Sequence, residues 1–244
     1  MSRYVAPLFT VLGAIGLAVT IWLIFTATPL EFHYLSDAED RTHYVLSGSS
    51  LFFNQKIFYF HVPHAFMLFI AVGMSGVCSI AFLAKRNPKW DDVALASAEV
   101  AVAFGAVVLL TGSIWAKAAW DLWWIWEKRL TMSLLLWLTL VGYVLVRRFA
   151  GASGDRIAAG MAVFAMIGVP FIYVMVGAGD NHPKAGSEGN VATLDPAMRG
   201  VFWASVTTFL FWFLALVITR VQSARMEREL RELREQALDA GVIA

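Results

Sequence analysis

Six stretches of this sequence are mostly apolar over about the length a helix needs to cross a bilayer, roughly 20 residues. They run approximately Leu8–Thr28, Ile57–Ala84, Leu95–Ile114, Thr131–Val146, Ile157–Ala178 and Val201–Thr219. The composition agrees: 59% of the residues are hydrophobic and 15% are charged, against about 25% charged in a soluble domain. A net charge of +1 supplies no global field that would recruit nucleic acid. The expectation is an all-α membrane protein with six transmembrane helices. The first stretch is too long for a signal-peptide core of about 7–15 residues and reads as an uncleaved anchor.

Lysine and arginine set the orientation. One set of connections carries Arg3, then Lys85, Arg86 and Lys89, then Arg147, Arg148 and Arg156, and finally Arg220 through Arg234. The opposite set carries Arg41, Lys56, Lys117, Lys128, Arg129, Lys184 and Arg199. The richer side is expected to be cytoplasmic, with both termini inside. Residues 1–220 then form the transmembrane unit, and 221–244 a charged cytoplasmic tail. In that tail Met226, Leu230, Leu233 and Ala237 recur at helical spacing. Glu227–Arg231, Arg228–Glu232 and Arg231–Glu235 are candidate i,i+4 ion pairs. The tail reads as a helix continuing from the last span, either solvated or docked on a cytoplasmic partner. The single cysteine, Cys78, excludes an internal disulfide and reads as a small core or lipid-facing residue.

Unusual residues gather on the opposite side. A long acidic segment holds His33 and His43, which read as surface histidines. A Gly-, Asn- and Asp-rich segment holds His182 and reads as a flexible loop or lid. At the start of the second span, "KIFYFHVPHAFM", His61 falls about one turn into the helix, with Pro63 in its first turns. An ionisable group at that depth usually faces the protein interior and serves a function. His64 is three residues on, and an H-x-x-H alone is a weak metal signal.

The most unusual stretch is "SIWAKAAWDLWWIWEKRLT", which holds five of the ten tryptophans: Trp115, Trp120, Trp123, Trp124 and Trp126. Tryptophan favours membrane interfaces, so an anchoring belt is one reading. The other is a binding plate. If the segment is helical, Trp120, Trp123, Trp124 and Glu127 share one face, which suits a large, flat, apolar ligand. Haem is flat, and its iron accepts imidazole. Its propionates pair with Arg or Lys, and Lys56 and Arg129 lie on the same side.

"TGSIWAKAAWDLWWIWEKRLT" resembles the tryptophan-rich WWD signature of the haem-handling proteins of cytochrome c maturation. "YFHVPHA" and "LDPAMRG" resemble the flanking motifs of one branch, the haem exporter protein C (CcmC) family. The resemblance implies haem b as a transported ligand, with axial histidines at His61 and His182. It implies a platform of Trp115, Trp120, Trp123, Trp124 and Trp126, with Lys56 and Arg129 as the basic residues near the haem. Two positions depart from the signature: Glu127 stands for its aspartate, and Asp121 for a glycine. The implied location is the bacterial inner membrane. The implied partners are a periplasmic haem chaperone, ABC transporter subunits and a small single-span protein. The chain has no Walker A motif, so ATP hydrolysis would belong to another subunit. The resemblance implies a binding and presenting protein, not an enzyme.

Two other classes of membrane protein compete with this reading. A haem b anchor of a respiratory oxidoreductase would need ligand histidines near both faces, and none lies near the cytoplasmic one. A transporter with an aromatic gate would need ionisable residues deep in its spans, where Glu99 is the main candidate.

Overall fold

In a computed structural model the described residues include six long helices: α1 (Val5–Thr26), α2 (Arg41–Lys85), α3 (Pro88–Trp120), α4 (Lys128–Phe149), α5 (Gly154–Val174) and α6 (Pro196–Asp239). The structure describes residues 4–28, 41–150, 154–174, 191, 194 and 196–241, without the side chains of 41–55, Ala119 and Ala197. Among the described residues there is no strand. All six helices are long and apolar enough to cross a membrane.

α2 packs along α3, α1 along α6 and α4 along α5, while α2 also meets α5 and α6. The core lies between α2, α3, α4 and α6, around Leu68, Phe104, Leu140, Phe209 and Phe213. Cys78 is buried, which selects the core over a lipid-facing position. α1 leans on α6 through a hydrogen bond between the Thr20 and Thr208 hydroxyls at 2.9 Å. Gly16 makes this approach possible, because a Cβ there would stand 2.7 Å from Thr208 Oγ1.

Two helices are longer than their apolar runs. α2 begins at Arg41, so His61 lies well inside a helix of 45 residues and not one turn from its start. Hydropathy reports what can sit in lipid. The polar residues from Ser47 to Lys56 hid a helix that the backbone continues regardless. α6 runs unbroken through the tail, as the apolar stripe predicted. Of the three tail pairs, Arg228–Glu232 forms at 3.0 Å. Glu227 pairs instead with Arg220 at 3.2 Å. Arg228 also reaches Asp92 at 3.0 Å, which pins the tail to the start of α3.

Pro63 therefore sits in the interior of α2, where it was expected in the first turns. A proline there has no N–H for the carbonyl four residues back, which is Tyr59. The fold replaces that donor: the buried Ser205 hydroxyl of α6 donates to Tyr59 O. Ser205→Ala should leave this buried carbonyl without its replacement donor and cost about 1–2 kcal/mol. Thermal unfolding of the detergent-solubilised variant measures it, and an unchanged midpoint would remove this account of the proline.

At the basic end of the bundle, Arg86 takes a left-handed conformation (φ 55°) to turn the chain between α2 and α3. Asn87 caps α3 by accepting from Lys89 N at 3.0 Å, and Pro88 fills the first helical position. Arg147 of α4 bridges Asp91 of α3 at 2.7 Å and Asp155 of α5 at 2.6 Å. Glu99 is held by Arg220, whose Nε donates to it at 2.6 Å. This pairing gives Glu99 a structural role and removes the main support for the transporter reading.

Candidate functional site

The tryptophan stretch is not one helix. α3 ends at Trp120 because Asp121 turns left-handed (φ 57°). Lys117 closes the end, its Nζ donating to Asp121 O at 3.1 Å and to the Asp121 carboxylate at 2.5 Å. That hydrogen bond holds the exposed Asp121 carboxyl below its usual range. Asp is among the few non-glycine residues that tolerate this region. The glycine of the WWD signature thus maps to a position whose backbone favours glycine, and Asp121 fills it with help from Lys117. Residues 121–127 run without helix until α4 begins at Lys128. The shared helical face of Trp120, Trp123, Trp124 and Glu127 does not form.

The break divides the tryptophans. Trp123 and Trp126 turn outward, 62% and 75% exposed. Trp115, Trp120 and Trp124 turn to an open cleft, which they line with His61 and Arg129. Gly112 and Ala116 of α3 leave the space, and Leu130 and Ser133 of α4 close the far wall. The small pair is a signal the sequence reading passed over. At i,i+4 it clears the α3 face beside Trp115.

His61 is 8% exposed. Its Nδ1 stands 2.9 Å from Thr111 Oγ1, and its ring meets the Trp115 ring edge-on at 5.5 Å. Trp115 is braced by Phe58, with ring centroids 6.5 Å apart. Trp124 packs edge-on against Trp126 at 5.9 Å. Its Nε1 is buried with no hydrogen-bond partner among the described residues. A buried indole N–H normally finds an acceptor, so a ligand oxygen would satisfy it.

Arg129 lies in the first turn of α4, beside Lys128. The N-terminal end of a helix is positive and favours anions. Two cations placed there oppose the helix field, and an anion in the cleft would gain from both. The site thus joins an imidazole, three aromatic walls, a buried indole N–H and a basic helix end. It can hold a flat apolar body with anionic substituents and a metal centre that accepts imidazole.

Other predicted residues lie elsewhere. Lys56 is buried, but its amine donates to Ile24 O and Thr28 Oγ1 at the end of α1. Five residues separate it from His61, which turns a helix by about 140° beyond one full turn, so the two leave α2 in different directions. Lys56 is not among the cleft residues. Glu127 directly precedes α4, also outside the lining. His64 Nδ1 is 2.7 Å from Phe60 O, and its ring packs on Phe209 at 4.1 Å, away from the cleft. His182 and His33 lie outside the described residues, as does the side chain of His43.

Fold and cleft together define a multi-pass membrane protein with an open, tryptophan-lined site at one end of its bundle. Residues 47–236 match the family model described as Heme exporter protein C, and the chain belongs to that family. It is 28% identical over 183 residues to Heme exporter protein C of Bradyrhizobium diazoefficiens, covering 73% of this chain and 69% of the relative. It is 29% identical over 182 residues to Heme exporter protein C of Escherichia coli, covering 72% of each. The protein of that name from Rhodobacter capsulatus is 27% identical over 187 residues, 74% of this chain and 77% of the relative. The chain is a multi-pass protein of the bacterial inner membrane.

Proposed function

We propose that this protein binds haem in the cleft of His61, Trp115, Trp120, Trp124 and Arg129 and presents it at the periplasmic face for cytochrome c maturation. The observation that carries the reading is that one open cleft gathers an imidazole, three tryptophans and an arginine from α2, α3, α4 and the loop between the last two. The family name supports haem as the cargo. The tryptophan walls would cover the macrocycle, with Arg129 and the start of α4 taking a propionate. Trp124 Nε1 would donate to a ligand oxygen.

By the resemblance of its motifs, His182 supplies the second axial ligand to haem b. The basic end faces the cytoplasm, with both termini inside. The recipient is a periplasmic haem chaperone, and ABC transporter subunits with a small single-span protein form the rest of the complex. The chain is a binding and presenting device with no bond-making step of its own. A respiratory haem b anchor is disfavoured, because no described histidine lies at the basic end of the bundle.

The test is an absorbance spectrum of the protein purified with and without its membrane partners. A haem band that survives washing is expected. Its absence in both preparations would overturn the reading.

A further inference from the structure

We propose that Thr111 is a positioning residue for haem capture: its hydroxyl holds the proton of His61 on Nδ1 and leaves the lone pair on Nε2. The inference rests on the haem reading above. A threonine hydroxyl has one hydrogen. Thr111 Oγ1 lies 2.7 Å from Val107 O, four residues back on α3, and 3.3 Å from Val108 O. Carbonyl oxygens only accept, and the contact to Val107 O is the shortest that Oγ1 makes, so the hydrogen is directed to the α3 backbone. The same Oγ1 lies 2.9 Å from His61 Nδ1. Having no second hydrogen, the oxygen accepts, and Nδ1 is the protonated nitrogen. The lone pair of the neutral ring then falls on Nε2. The nitrogen of a histidine that meets a metal is chosen by the partner of the other nitrogen.

The ring is also held in place. Trp115 stands against it edge-on at 5.5 Å. At Gly112 an added Cβ would come within 3.2 Å of His61 Cε1, so the absent side chain leaves room for this ring pose. Three residues of the α3 segment "TGSIW" thus act on one histidine of α2: Thr111 by a hydrogen bond, Gly112 by leaving space, Trp115 as a wall. α2 supplies the ligand, and α3 decides which nitrogen it offers.

Thr111→Val removes the hydroxyl at nearly constant shape, and Thr111→Ser keeps the hydroxyl and removes the methyl. In haem-free protein at pH 8 with ¹⁵N-labelled histidine, the His61 signals are assigned by their loss in His61→Ala. Wild type and Thr111→Ser are expected to show an unprotonated Nε2, and Thr111→Val a mixture of tautomers. Haem retained after purification should fall roughly 10–100-fold in Thr111→Val, the range for losing the hydrogen-bond partner of a metal ligand, and return in Thr111→Ser. The inference is overturned if wild-type Nε2 carries the proton, or if Thr111→Val matches wild type in tautomer and haem. It is also overturned if Thr111→Ser is as impaired as Thr111→Val, since the methyl would then matter and the hydroxyl would not. A wild type that retains no haem, with a tautomer that still follows the hydroxyl, sinks the haem reading and leaves the hold of Thr111 on His61 standing.

Discussion

Replacing His61 by alanine is expected to strip the purified protein of haem, whereas His64→Ala leaves it near wild type. The two histidines are three residues apart on α2 and meet different surroundings. His61 lines the cleft, with Nδ1 engaged by Thr111. His64 is turned into the core, its ring on Phe209 at 4.1 Å and on Phe104 at 5.3 Å. A ligand on iron contributes more than the residue that orients it. The loss in His61→Ala should therefore exceed the roughly 10–100-fold that an orienting partner contributes. The cleft is open, so added imidazole should diffuse in and restore part of the haem band. His64→Ala instead removes packing and lowers thermal stability without changing the spectrum. Haem per mole of protein, read by absorbance after washing, separates the cases. Equal loss from His64→Ala, with His61→Ala harmless, would reverse the assignment.

Much of the architecture was legible because lipid imposes a simple rule on sequence. A span must be apolar over its length, and each of the six apolar runs overlaps one of the six described helices. The helical tail was legible for a similar reason: Met226, Leu230 and Leu233 keep a helical spacing beyond the last span. What the sequence concealed were places where a local interaction overrides the pattern. The tryptophan spacing predicts one face if the helix continues, but a single left-handed residue, Asp121, ends it. The departure from glycine at that position is in the structure a helix terminator. The resemblance puts Lys56 among the basic residues near the haem. Its direction on α2 sends it to the end of α1 instead, where a cation suits the negative pole of that helix. The Thr111–His61 contact joins positions 50 residues apart, and no periodicity announces such a pair.

The same break in α3 supplies the second large expected effect, because it sorts the tryptophans into two groups that an anchoring belt would not distinguish. A belt uses only interfacial preference, so any of the five would tolerate replacement to a similar degree. A cleft uses position. Trp120 and Trp124 line it, while Trp123 and Trp126 are mostly exposed. Trp120→Ala and Trp124→Ala are each expected to weaken haem retention by about 1–3 kcal/mol, by analogy with aromatic side chains that stack on bases. At 1.36 kcal/mol per tenfold, that is roughly 5- to 150-fold. Trp124 should stand at the upper end, since alanine also removes the buried indole N–H that lacks a partner among the described residues. Trp124→Phe separates the two contributions: it keeps an aromatic wall and loses only the donor, so it should recover part of the affinity. Trp123→Ala and Trp126→Ala are expected to retain haem near the wild-type level. If either of them is impaired in passing haem to a chaperone, the outward pair serves the encounter and the inward three serve the cargo. Equal haem retention across all single alanine variants would return the stretch to the role of a membrane anchor and leave His61 and Arg129 as the only cleft residues with a claim on the ligand.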